Sequence, residues 1–211
     1  MPTSFPENFS RIITLAMEIK PYSILDVGSG FGKYGYLCRE YLDVVQGHFQ
    51  KEDWKIRIDG IEGFPPYLSD LQRFIYNRLI EGDIFASLAT FKDQSYDLAL
   101  TIDILEHFEK EKGLRFLQEC QRVARIVLVS IPVAYPQGAL FGNPLETHRA
   151  EWTKKDFQRL KAPLILKGYQ SWIALLSRNF PENLNYLRKI RLIEFKENLK
   201  RELKRKLGFK P

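Results

Sequence analysis

The stretch Ile24 to Glu40, ILDVGSGFGKYGYLCRE, limits most sharply what this chain can fold into. Glycines at 28, 30, 32 and 35 follow an apolar run directly. The run reads as a short buried strand. Glycines so closely spaced after it mark a tight turn, or a place where a ligand must come close to the backbone. A helix is expected from about Lys33 to Tyr41. A strand, a glycine loop and a helix in that order belong to a parallel sheet with helices on its faces.

The rest of the chain repeats the alternation. Phe9 to Ile19 has apolar residues at 9, 12, 13, 16 and 17, a helical spacing that Lys20-Pro21 ends. Lys55 to Ile61 alternates as a strand. Pro66 to Leu79 reads as a helix opened by proline, with a short strand around Ile80. Tyr96 to Ile102 and Arg125 to Ile131 are continuous apolar strands of the kind covered on both faces. Lys112 to Arg122 and Thr153 to Leu160 read as helices. Pro163 to Lys167 and Trp172 to Ser177, split by a polar turn, form a hairpin. The expected fold is α/β: a Rossmann-like three-layer sandwich with a mostly parallel seven-stranded sheet ending in an antiparallel hairpin. About fifteen residues, Tyr41 to Lys55, join the first helix to the second strand, longer than usual. A lid, an interface arm or a helix extension would each account for them.

Charge divides the chain in two. Residues 181–211 hold ten Lys or Arg and four Glu, which leaves 22 basic and 22 acidic residues in 1–180. The net charge of +6 therefore belongs to the tail. A neutral body gives no electrostatic footprint for nucleic acid. Residues 1–180 are expected to form one domain and 181–211 a basic amphipathic helical tail, with apolar residues at 184, 187, 192, 195, 199, 203 and 207. Residues 184–210 would dock on the body, on a protein partner such as a second copy of the chain, or on an anionic membrane surface. The N-terminus lacks the basic start and apolar middle of a signal peptide, and Cys38 and Cys120 fall in expected helices as buried thiols. A cytoplasmic protein, peripheral to the membrane if the tail binds there, is the expectation.

Three ligands compete for the glycine loop. A phosphate loop needs four residues between Gly and Gly-Lys, then Ser or Thr. Gly28 to Gly32-Lys33 leaves three, and Tyr34 follows. Gly30, Gly32 and Gly35 match the dinucleotide pattern G-x-G-x-x-G. Starting two residues earlier, Asp26-Val-Gly28-Ser29-Gly30-Phe-Gly32 is an acidic residue before G-x-G-x-G. This resembles the first motif of class I S-adenosylmethionine-dependent methyltransferases.

The resemblance covers roughly residues 20–180 and implies a site. Asp26 would fix the loop and meet the amino end of S-adenosylmethionine. Gly28, Ser29, Gly30 and Gly32 would lie under its methionine part. Glu62 would take the ribose hydroxyls, Asp83 the adenine amino group, and Ile84 would pack on the ring. Asp103 begins the loop beside the cofactor, and the product would be S-adenosylhomocysteine. His107 and His148 are candidate general bases, with Asp103 beside them. The segment Ile131 to Trp152 resembles bacterial methyltransferases of uncertain substrate, some associated with sugar or cell-surface pathways, which implies a small-molecule or glycan-type acceptor, and no metal is expected. A second resemblance, to small-RNA terminal 2′-O-methyltransferases, would make Asp103, Glu106, His107 and His148 a divalent-metal set. Asp103 departs from that pattern, which has Glu. A third alternative is a binding or scaffolding subunit that keeps the fold without catalysis.

Overall fold

The structure is a computed structural model that describes residues 4–178 together with Leu192. The helix expected over residues 184–207 lies outside the described residues, Leu192 aside.

Helix α1 (Phe9–Ile19) precedes β1 (Ser23–Val27) and α2 (Lys33–Leu42). Then come β2 (Arg57–Glu62), α3 (Asp70–Ile75), β3 (Arg78–Glu81), α4 (Ile84–Ala89), β4 (Tyr96–Ile102) and α5 (Lys110–Val123). Strand β5 (Ala124–Pro132), α6 (Lys154–Arg159), β6 (Leu164–Lys167) and β7 (Ser171–Leu176) complete the unit. The seven strands form one sheet in the order β3-β2-β1-β4-β5-β7-β6. The first five are parallel, and β7 runs antiparallel to both β5 and β6.

The apolar strands are buried on both faces because helices cover both. Leu25, Val27, Ala99, Val127 and Val129 pack with Phe116, Leu117, Cys120 and Val123 of α5. On the other side α1 packs against α2, and α2 against α3. Both thiols are buried, as their helical positions lead one to expect. Strand order reverses between β1 and β4, so a crevice opens at the carboxyl ends of these strands.

Two local expectations need correction. The helix expected over 66–79 is only Asp70–Ile75, entered through a 3-10 turn at Pro65–Tyr67. Ser69 and Gln72 form a reciprocal capping box that fixes its start. Its end is set by Tyr76, which turns inward beneath the sheet, and the chain then starts β3 at Arg78. The short helix α4 had no sequence signal beyond the turn pair Gly82-Asp83. Asp83 caps it by accepting from the Ala86 N–H at 2.9 Å.

The long connection after α2 is neither a lid nor a helix extension. Arg39 and Asp43 are both buried and pair at 2.5 Å. Asp43 also accepts from the backbone N–H of Lys55 at 2.6 Å, while Arg39 donates to the Ile56 and Ile75 carbonyls. Trp54 lies 4.1 Å from the guanidinium. The connection is thereby closed onto the body, on the side of α2 away from its amino end. Among the described residues, no helix is long and apolar enough to cross a membrane.

Candidate active site

A cavity of about 1110 Å³ occupies the crevice. Its floor is the loop after β1. Gly28 and Ser29 both donate backbone N–H to the Ile61 carbonyl at 2.9 Å. The Gly30 N–H donates to Glu62 Oε2 at 2.7 Å, and Gln72 Nε2 donates to the Gly30 carbonyl. Gly28 and Gly30 both have positive φ, +75° and +54°, which only glycine adopts without strain. A Cβ on Gly28 would stand 2.1 Å from Ile104, whereas one on Gly30 would meet nothing within 4 Å. Gly28 is required for packing; Gly30 leaves the cavity floor open to a ligand.

Glu62 ends β2. Besides Gly30 it accepts from the Phe64 N–H at 2.8 Å, so each carboxylate oxygen holds one backbone donor and keeps a lone pair. Burial raises its pKa above the usual carboxylate range, against those two hydrogen bonds. Asp83 and Ile84 line the same wall where α4 begins.

Asp26 is placed differently from its expected role. It lies beneath the loop, 3% exposed, and is not part of the cavity wall. Its carboxylate accepts from the Tyr76 hydroxyl at 2.6 Å. Burial raises its pKa to about 6, with the Tyr76 hydrogen bond opposing. Asp26 therefore supports the loop. Gly32 likewise sits behind the wall, against Gln72 and Tyr76. The carboxylate that faces the cavity beside the glycine loop is Asp103. It has φ +54°, a left-handed conformation Asp tolerates better than most residues, and it accepts from Ser130 Oγ at 3.4 Å. Burial raises its pKa to about 6 as well, with Ser4 and Lys33 opposing.

Glu106, His107 and His148 converge at the other end. Their ligand atoms lie within 4.8 Å of one another. Folding of the loop after β5 brings His148 there: the N–H groups of Arg149 and Ala150 both donate to the Glu106 carbonyl. Glu106 is 3% exposed, and neither of its carboxylate oxygens has a partner. Burial, then the Asp103 charge, push its pKa well up. His107 Nδ1 meets the Thr147 carbonyl at 3.3 Å, and His148 Nδ1 meets the Tyr135 carbonyl. A carbonyl accepts only, so in both rings Nδ1 carries the proton and Nε2 carries the lone pair. Burial lowers both imidazole pKa values, that of His107 to about 4. Both rings are neutral acceptors at pH 7. Asp103 does not join this cluster; the four-residue metal set splits into three residues and one.

Several wall residues carry no signal in the sequence. Ser4 and Phe5 reach the cavity because Asn8, 1% exposed, is bonded to Tyr169 and Ser171 in the β6–β7 turn. Glu146 accepts from the Tyr67 hydroxyl at 3.0 Å and from Asn143 at 3.3 Å, a buried network built by distant loops. Lys33, the first residue of α2, lines the cavity beside the glycine motif, and a lone lysine at a helix start carries no ligand signal in the sequence. Trp152 packs against Gly113 and Phe157, away from the cavity.

The architecture is that of a Rossmann-like methyltransferase, and the comparisons agree. Residues 25–126 match the family described as a methyltransferase domain. The structure is similar to the methyltransferase domain of bacterial CtHen1, at 17% identity and TM-score 0.53 over 81% of this chain and 97% of that one. It is similar to a SAM-dependent methyltransferase from Archaeoglobus fulgidus, at 14% identity and TM-score 0.53 over 79% of this chain and 90% of that one. The mitomycin 7-O-methyltransferase MmcR, at 14% identity and TM-score 0.55, is covered over 54% of its length by 82% of this chain. No curated protein matches the sequence. Residues 25–126 are therefore a methyltransferase domain on a Rossmann-like methyltransferase fold, and the cofactor is S-adenosylmethionine. The residues present fit that group. Gly30 leaves the floor open, Ser29 Oγ is buried on the wall with no partner, and Glu62 has lone pairs to spare for a diol.

Proposed function

We propose that the protein methylates a small-molecule or glycan-type acceptor. The observation that carries this reading is the size and lining of the cavity. At about 1110 Å³ it exceeds the upper end of ordinary single-ligand pockets, roughly 1,000 Å³, so donor and acceptor fit together. The wall beyond the cofactor residues is polar and hydrogen-bonding, with Tyr135, Gln137, Asn143 and Glu146; among the described residues its cations there are Lys112 and Arg149, fewer than a phosphate chain would need.

S-adenosylmethionine supplies a methyl group on a positively charged sulfur with a neutral leaving group. The protein's task is then alignment, and removal of a proton where the acceptor has one to lose. His107 Nε2 or His148 Nε2 would take that proton, both rings being neutral and oriented by carbonyls. Glu62 would hold the ribose, Asp83 and Ile84 the adenine. The test is tritium transfer from labelled S-adenosylmethionine to a panel of saccharides and hydroxylated small molecules. Counts in an acceptor, lost in His148→Ala, are expected. A protein that binds the cofactor but labels nothing in the panel, while acting in a complex, would favour the scaffolding reading.

One observation favours a second reading, a metal-dependent enzyme of the RNA terminal 2′-O-methyltransferase type. Glu106 is a buried carboxylate with no partner, facing two imidazoles whose Nδ1–H groups are tied to carbonyls. Metal-binding histidines are commonly held this way. A divalent ion would be held by Glu106, His107 and His148, and would polarise an acceptor hydroxyl. Cobalt(II) titration should then give a visible d–d absorption that is lost in Glu106→Gln. Full methyl transfer in excess chelator would exclude it.

A further inference from the structure

We infer that Lys33 recognises the carboxylate of the methyl donor's amino-acid end, with Asp103 holding the ammonium beside it. This rests on S-adenosylmethionine being the ligand of the cavity.

The argument begins with charge. The donor's amino-acid end carries one ammonium and one carboxylate. The cavity wall carries Glu62, Asp83, Asp103, Glu106 and Glu146. Such a wall welcomes the ammonium and the sulfonium and repels the carboxylate. A cation must lie close to where the carboxylate goes. Among the described residues, the other lysine and the arginine of the wall are elsewhere. Lys112 stands by Phe85 and Phe108, next to α4, and Arg149 follows the loop that carries the histidines. Lys33 is next to the glycine loop and within electrostatic reach of Asp103.

Lys33 is also held in place. Its Nζ lies 4.3 Å from the centre of the Phe9 ring and 5.5 Å from that of Tyr34. The negative faces of these rings favour a fixed ammonium there. Burial lowers its pKa and Asp103 raises it. Ser29 supplies a second, independent sign. Its hydroxyl is 8% exposed with no partner, on the same stretch of wall. It can donate to the same carboxylate. Lys33 and Ser29 together match an anion, Asp103 a cation, and the pair reads a zwitterion.

The test compares two ligands by calorimetry. S-adenosylhomocysteine has the amino-acid end; 5′-methylthioadenosine keeps the adenosine and sulfur without it. In Lys33→Met, affinity for S-adenosylhomocysteine should fall by about 10- to 100-fold, the effect of losing a charge-assisted hydrogen bond. Affinity for 5′-methylthioadenosine should stay within about threefold, which also shows that the variant is folded. Lys33→Arg should keep most of the wild-type preference for S-adenosylhomocysteine. If Lys33→Met binds S-adenosylhomocysteine like wild type, or loses both ligands in parallel, the inference is wrong while the cofactor assignment stands. Wild-type protein that binds neither ligand would remove both.

Discussion

The half of the cavity around the glycine loop, which we propose holds the donor, and the half around the two histidines, which we propose faces the acceptor, treat their polar atoms in different ways. Around the glycine loop most polar groups are already engaged, the Ser29 hydroxyl excepted: Glu62 holds two backbone N–H groups, Gln72 holds the Gly30 carbonyl, and Asp83 caps α4. At the other end Glu106 is buried with both oxygens unpartnered, and two imidazoles present unprotonated Nε2 atoms. The donor half is a finished cradle whose shape does not depend on a ligand. The half around Glu106 leaves groups open to an incoming ion, hydroxyl or water, at a cost of about 1–3 kcal/mol for each group left unpaired.

Changes on the two sides should therefore separate. The largest effect is expected for Gly30→Val. A β-branched residue at φ +54°, with its side chain projecting into the open floor, should weaken S-adenosylhomocysteine binding by roughly a hundredfold or more in calorimetry. Next comes Glu62→Gln, which weakens one of the two charge-assisted hydrogen bonds and loses the other, because the amide nitrogen cannot accept from a backbone N–H; it should cost about 10- to 50-fold in the same measurement. Glu106→Gln breaks the comparison from the other side. It should leave donor affinity within about threefold while methyl transfer falls by at least tenfold.

A pH effect follows from Asp26. Its folded-state pKa is raised, so the folded protein holds this proton more tightly than the unfolded chain does. The resulting stability is complete below about pH 4 and is lost as pH rises through about 6. A shift of about two units corresponds to about 3 kcal/mol. Urea midpoints at pH 4.5 and 7.5 should therefore differ less in Asp26→Asn than in wild type. The smallest expected effect is that of Tyr76→Phe, which removes the hydroxyl from Asp26 and should cost about 1–2 kcal/mol in urea denaturation.

The same division explains what was legible in the sequence. The sheet could be read because β1, β4 and β5 are short, mostly apolar runs that the fold buries. The proposed donor residues Gly28, Glu62, Asp83 and Asp103 could be placed on the crevice because each lies within a residue or two of a strand end. Support of the loop by Asp26 is legible from its position before the glycines; its absence from the cavity wall is not, because spacing does not show that Tyr76, fifty positions away, takes up its carboxylate. The helix expected over 66–79 is shorter in the fold because the sequence periodicity continues into β3, whereas packing of Tyr76 against Gly35 ends the helix at Ile75. The acceptor half was legible only as a set of candidates. His148 meets Glu106 through backbone hydrogen bonds from Arg149 and Ala150, and Ser4 reaches Asp103 through the anchoring of Asn8. Contacts between loops so far apart leave no period or spacing to read.

The measurement that bears most directly on the whole account is titration of S-adenosylhomocysteine into wild-type protein with and without excess chelator. A finished donor cradle, independent of whatever completes the acceptor side, predicts one site with the same affinity in both conditions. Absence of binding at millimolar ligand, or binding that disappears with the chelator, would contradict it.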